Sequence, residues 1–172
     1  MISYEQARKI LIKTKIKIKD EIINSVNSLN RLVSNNVYSV INYPASDNAA
    51  FDGYAINSRD TNLIKKNSQK KFKIIGLIAA GSKPLKKKIK KFDAIEIMTG
   101  GIIPKGFDTI IPIEQINFYP NKTNKKYILI DKKIKKHNHV RFAGSDFKKG
   151  EVILKKYTTI QPNHILAFKT LG

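Results

Sequence analysis

The sequence predicts an α+β protein: a β-rich domain, barrel- or sandwich-like, inserted into a smaller discontinuous α/β domain. Three observations carry this. Apolar, β-branched runs bounded by turn residues recur from about residue 53 to residue 131. Helix-period patterns sit at the two ends. The loop Pro120-Asn121-Lys122-Thr123-Asn124 separates two such runs as a hairpin loop would. The expected domains are 1–45 together with 140–172, and 46–139 between them.

The elements follow in order. Ser3 and Gln6 have capping-box spacing, and Ile10 and Leu11 lie on an apolar face, so Ser3 to about Leu11 is expected to be helical. Lys13 to Lys19 alternates Lys with Thr or Ile, which suggests a short strand. Apolar residues at 22, 23, 26, 29, 32 and 33 fit one helical face, ended by Asn35-Asn36. Strands are expected at Val37–Tyr43, Gly53–Ile56, Lys71–Ala79 (ending at Gly81), Ala94–Met98, Asp108–Glu114, Tyr127–Asp131 and Val152–Leu154. Lys83–Lys91 reads as a basic connector around Pro84. Pro162–Leu171 reads as a helix ending at Gly172.

Composition excludes several classes. The 172 residues can bury a sizeable core, and 41% apolar against 27% charged residues indicates a folded chain. There are no cysteines, hence no disulfide and no thiolate metal site. No apolar run approaches the roughly 18 residues of a membrane span, and the first ten residues lack a signal-peptide pattern. A cytoplasmic protein without membrane partners is the expectation. The net charge of +20 comes from 33 Lys and Arg against 13 Asp and Glu. Only Arg8, Arg31, Arg59 and Arg141 are arginines. Nucleic-acid surfaces favour arginine forks, so this scattered lysine excess reads first as a solvated surface, with a polyanion site as the alternative. Such a field still concentrates small anions.

Three stretches stand out. Pro44 to Ala55, P-A-S-D-N-A-A-F-D-G-Y-A, places Asp47 and Asp52 around a small apolar patch, with Gly53 after the second. Asp-Gly is a turn signal, because Gly tolerates positive φ and Asp bonds the following backbone. The alternative is a carboxylate presented to a metal or substrate. Ile97 to Gly106, I-M-T-G-G-I-I-P-K-G, runs a strand into Thr99, Gly100 and Gly101. This is either a strand-end turn or a nest of amides for an oxyanion. It is not a P-loop, lacking the Gly-Lys-Ser/Thr ending. Asn138 to Asp146, N-H-V-R-F-A-G-S-D, holds Arg141, a fork for phosphate or carboxylate or one half of a structural salt bridge. His137, His139 and His164 show no ligand spacing, and no nucleophile elbow is present.

In this order, D-N-A-A-F-D-G-Y-A, I-M-T-G-G-I-I-P-K-G-F-D-T-I-I-P-I-E and N-H-V-R-F-A-G-S-D resemble the MoeA family, the molybdopterin molybdenumtransferases that include the gephyrin E domain. The resemblance runs over essentially the whole chain. It implies insertion of molybdate into adenylylated molybdopterin with release of AMP, a divalent cation such as Mg²⁺, and a homodimer, possible further partners being other molybdenum cofactor biosynthesis proteins. The family's active site lies between its β-rich domain and the third domain of the other subunit. The third and fourth domains would then be absent, leaving half an active site. By matched position, Asp52 is the functional aspartate and metal ligand, Thr99 the threonine of the M-T-G motif, and Arg141 an arginine of the N-x-R loop. Gly100 and Gly101 join Arg141 as substrate-binding positions, while Asp47, Asn48 and Gly53 shape the loop. The chain departs from the family pattern at Ala49 (usually Ser), Ser145 (usually Glu), Glu96 (often Arg) and Asn30 (usually Gly). The alternatives are a non-catalytic dimeric scaffold of the same fold and a Lys-rich nucleic-acid-binding protein.

Overall fold

The computed structural model describes residues 1–16, 18–82 and 87–171. The chain forms two compact units, residues 38–153 with Leu171, and residues 1–37 with 154–170 and Gly172, the last outside the described residues.

The unit from the two chain ends is small. Helix α1, Tyr4–Lys13, begins as its sequence requires: Ser3 Oγ accepts the Gln6 amide at 3.3 Å and Gln6 Oε1 accepts the Ser3 amide at 2.9 Å. The strand expected over 13–19 does not form among its described residues, and Lys17 lies outside them. The helix expected over 22–33 is reduced to a 3-10 turn, Ser25–Asn27. Here the polar face competes with the helix. Asn24 Oδ1 accepts the Val26 amide, and Ser28 Oγ donates to the Ser25 carbonyl. Arg31 and Val33 are instead extended, exchanging backbone bonds with residues 157–160. Their apolar residues make a core of Val33, Leu154 and Ile160, closed by Val37, Ile165 and Phe168. Ile165 and Phe168 come from α3, Pro162–Leu171, whose Pro sits at the first turn, where a missing N–H costs nothing.

The larger unit is a curled six-stranded sheet. Its strands are β3 (Gly53–Ile56), β4 (Lys70–Ile78), β5 (Asp93–Ile97), β6 (Thr109–Pro112), β7 (Asn117–Pro120) and β8 (Lys125–Ile130), following the short β1 (Val37–Tyr38) and β2 (Asn48–Ala49). The sheet order is β6-β3-β5-β4-β8-β7, antiparallel except for the parallel pair β4 and β5. Two further strands, β9 (Val140–Arg141) and β10 (Val152–Leu154), follow. The sheet is covered on both faces, so β3 and β6 read as continuous apolar runs rather than alternating ones. Tyr54, Ile56, Phe72, Ile111 and Ile128 pack on one face, and Ala49, Ala55, Ile78, Ile95 and Ile110 on the other.

The strand expected at 37–43 stops at Tyr38, and that at 108–114 turns at Ile113–Gln115 into a 3-10 turn. The short helix α2, Ser58–Thr61, and β7 are additions. In α2, Asn57 Oδ1 caps the Arg59 amide, and the Asp108 carboxylate takes the Ser58 amide and hydroxyl. The hairpin between β7 and β8 turns as expected, with Asn121 Oδ1 accepting the Thr123 and Asn124 amides. Of the connector expected over 83–91, residues 83–86, with Pro84, lie outside the described residues. Two buried threonines then staple the segment leading to β9. Thr61 Oγ1 accepts the Ile134 amide at 3.0 Å, and Thr109 Oγ1 accepts the Asn138 amide at 3.1 Å. That segment therefore reaches Arg141 in a fixed place. Among the described residues no helix is long and apolar enough to cross a membrane.

Candidate active site

The three singled-out stretches meet on two residues. Asn48 of β2 pairs with Arg141 of β9 on one side and bridges Ile102 on the other. The Ala49 amide donates to the Gly101 carbonyl at 3.0 Å, and the Ala50 amide to the His139 carbonyl at 3.0 Å. The D-N-A-A-F-D-G loop is thus a short strand threaded between the T-G-G turn and the Arg141 loop. Two-residue strands have no period to read, so sequence patterning missed both β2 and β9.

Beyond β2 the chain turns Asp52 onto the T-G-G turn. Asp52 Oδ1 accepts both the Thr99 amide, at 2.6 Å, and the Thr99 hydroxyl, at 2.7 Å. The Asp52 carbonyl accepts the Ile113 amide at 3.0 Å. The Thr99 amide first, and its hydroxyl second, hold the Asp52 carboxyl below its ordinary value, against a smaller desolvation effect. Asp52 is exposed and ionised at neutral pH. Both bonds fall on Oδ1. No bond among the described residues engages Oδ2.

Two glycine roles differ from the expectation. Gly53 is not a positive-φ turn residue. It is the first residue of β3, opposite Pro112, and a Cβ there would stand 2.1 Å from the Ile111 carbonyl oxygen. Space, not conformation, demands glycine. The amides of Gly100 and Gly101 are not an open nest. Gly100 donates to the Ala49 carbonyl at 2.9 Å and Gly101 to the Met98 carbonyl at 2.8 Å. With φ at +79°, Gly100 makes the turn, while Gly101 lies so close to Ile97 and the Met98 carbonyl that a Cβ would approach within 2.8 Å and 2.9 Å of them. Both amides are bonded within the protein, and the turn brings Thr99 to Asp52.

Arg141 is half exposed and its guanidinium is paired with the Asp146 carboxylate. Asp146 is a site residue that sequence reasoning passed over; its signal was an acid five residues after a rare arginine. His139 was also set aside, yet its ring meets the exposed Phe51 edge-on at 4.8 Å, beside Asp52. Asp47 is exposed, its Oδ1 accepting the Ala143 amide at 2.8 Å. A cleft of about 320 Å³ opens beside it, lined among others by Lys105, Lys136 and His137. Deeper in the sheet, burial first and the Glu96 carboxylate second push the Tyr54 phenol well above its ordinary range. Tyr54 is structural, packed edge-on against Phe118.

Among the described residues no group of three or more His, Asp or Glu could hold a metal ion. Asp52 alone offers one free carboxylate oxygen. That suits Mg²⁺, which takes one or two carboxylates and fills its remaining positions with water and phosphate oxygens.

A curled mixed sheet that presents a threonine-anchored aspartate, with an arginine loop on the neighbouring short strand, defines a protein of α+β class. The chain belongs to the MoeA family: the family described as MoeA N-terminal region (domain I and II) matches residues 2–172. The chain is 30% identical over 173 residues to the molybdopterin molybdenumtransferase of Haemophilus influenzae, covering all of this chain and 40% of that protein. It is 28% identical over 145 residues to that of Bacillus subtilis, covering 84% of this chain and 33% of the relative. The structure of the molybdopterin biosynthesis moeA protein from Pyrococcus horikoshii OT3 matches with a TM-score of 0.85 and 29% identity, over 100% of this chain and 44% of that one. The chain thus spans about two fifths of the length of the first of these relatives.

Proposed function

We propose that this chain acts in molybdenum cofactor biosynthesis as the N-terminal and linker part of a molybdopterin molybdotransferase. It would supply one wall of the site where adenylylated molybdopterin receives molybdate and releases AMP. The observation that carries this reading is the doubly anchored Asp52, its second oxygen open, in a chain matched end to end by molybdenumtransferases.

In this reading Asp52 would hold Mg²⁺, which when bound would supply charge neutralisation at the phosphoanhydride. Thr99 fixes the carboxylate so that it need not reorganise. Arg141 takes an oxyanion, phosphate or molybdate, as a bidentate fork with Asp146 as its resting partner. Gly100, without a side chain, lets substrate approach the turn, and Lys105 and Lys136 add positive field in the cleft beside Asp47. The other wall would come from the domain that follows in the family, in a homodimer, and the setting would be cytoplasmic.

The test is complementation of a cell lacking molybdenumtransferase activity. Residues 1–172 alone are expected to restore no cofactor synthesis, and to restore it when a C-terminal part corresponding to the unmatched region of the relatives is supplied separately. Cofactor made by 1–172 alone would refute the half-site reading. No synthesis in the two-part assay, with both parts folded and associated, would refute the role itself.

A further inference from the structure

Arg141 sits at the start of a tight turn, and one residue of a distant motif holds that turn. The Asp47 carbonyl accepts the Ile103 amide at 3.0 Å, which ties Asp47 to the T-G-G segment. The Asp47 carboxylate reaches the other way, Oδ1 accepting the Ala143 amide at 2.8 Å. Ala143 lies between Arg141 and its ion-pair partner Asp146, where the Ser145 amide closes the turn onto the Phe142 carbonyl at 3.1 Å. The other bonds to this turn from the Asp47 side are accepted by backbone carbonyls, while Asn42 Oδ1 accepts the Lys149 amide just beyond the turn at 2.9 Å. Pro44 accepts the Gly144 amide at 2.9 Å and Tyr43 the Asp146 amide at 3.0 Å. The carboxylate of Asp47 is therefore the side-chain link between the segment that places Thr99 and the turn that places the Arg141 guanidinium.

We propose that Asp47 is a positioning residue for Arg141, aligning its guanidinium for an oxyanion in register with Asp52 and Thr99. Asp47 touches no ligand itself. The inference rests on the reading of Arg141 as an oxyanion group given above. Removing the carboxylate leaves the Pro44, Tyr43 and Asp47 backbone bonds in place, so the unit and the far end of the turn keep their fold while the turn loses its tie at Ala143, two residues from Arg141.

Molybdate alone is the probe, titrated calorimetrically into chain 1–172 associated with the separately supplied C-terminal part, and into the same assembly carrying each variant. Asp47→Ala is expected to weaken binding about tenfold, within the usual range for losing a group that orients a ligand-binding side chain. Asp47→Asn keeps an acceptor for the Ala143 amide and is expected to stay within about twofold of wild type. In an Arg141→Ala background, Asp47→Ala is expected to add nothing further, because the two act through one contact. Exchange of the Ala143 amide should quicken in Asp47→Ala and not in Asp47→Asn. Faster exchange with unchanged molybdate affinity, or additive losses in the double variant, overturns the inference and leaves Arg141 as the anion group. Equal or absent binding by wild type and Arg141→Ala overturns the reading of Arg141 itself, and the positioning role with it.

Discussion

Asp52→Asn is expected to lower cofactor synthesis at least about tenfold in the two-part assay, at the modest end of what losing one charge-stabilising group costs. The variant keeps a carbonyl oxygen for the Thr99 amide and hydroxyl, so its fold and urea midpoint should stay close to wild type. What it loses is the charge at Oδ2. Wild-type synthesis by the asparagine variant would remove Asp52 from the chemistry. The pH dependence has a definite sign. Thr99 depresses the Asp52 pKa, so the charged latch is fully present above the ordinary carboxylate value of about 3.9 and is lost as pH falls through the lower folded value. The Thr99 amide resonance should follow that titration in the wild type and stay flat in Asp52→Asn.

Gly53→Ala is expected to be the most damaging single methyl that can be added near the site. The new Cβ would lie 2.1 Å from the Ile111 carbonyl oxygen, 2.9 Å from its carbon and 3.0 Å from Pro112 Cα. All three are backbone atoms of β6, which cannot step aside as a flexible side chain would. Strand β3 must lift from β6, and it carries the fully buried Tyr54, Ala55 and Ile56 with it. Overpacking of this kind costs about 3 kcal/mol or more. Urea denaturation should show it as a lower midpoint. Because Asp52 precedes Gly53 and its carbonyl takes the Ile113 amide, the Thr99 latch should weaken in the same variant. An unchanged midpoint would show that β3 and β6 are not as closely apposed as described.

Much of this was legible in the sequence, for reasons that differ by element. Strands β3, β4, β5 and β8 were found because buried sheet residues are apolar and β-branched in runs long enough to recognise. The order of the three motifs pointed to the candidate site, since each alone is an ordinary turn. The helix expected at 22–33 failed because Asn24 and Ser28 bond the local backbone, and residues 30–33 gain more by pairing with 157–160. The glycine roles were hidden because sequence shows that a side chain is missing, not which neighbour forbids it. His139 was hidden because its partner, Phe51, is brought to it by folds of the chain that no local pattern encodes, whereas Asp146 carried a short-range signal in its spacing from Arg141.

The two-residue strand β2 has a further consequence. It lies at fixed rungs against Arg141 on one side and Ile102 on the other, and Asp52 follows it by a set number of residues. The separation of the arginine from the aspartate is therefore counted rather than tuned. Side-chain substitutions cannot adjust it in small increments; it changes only by inserting or deleting a residue, in steps of about 3.3 Å that also turn alternate side chains to the opposite face. A one-residue insertion or deletion between Asn48 and Asp52 would therefore disturb the site more than a side-chain exchange at Ala49 would.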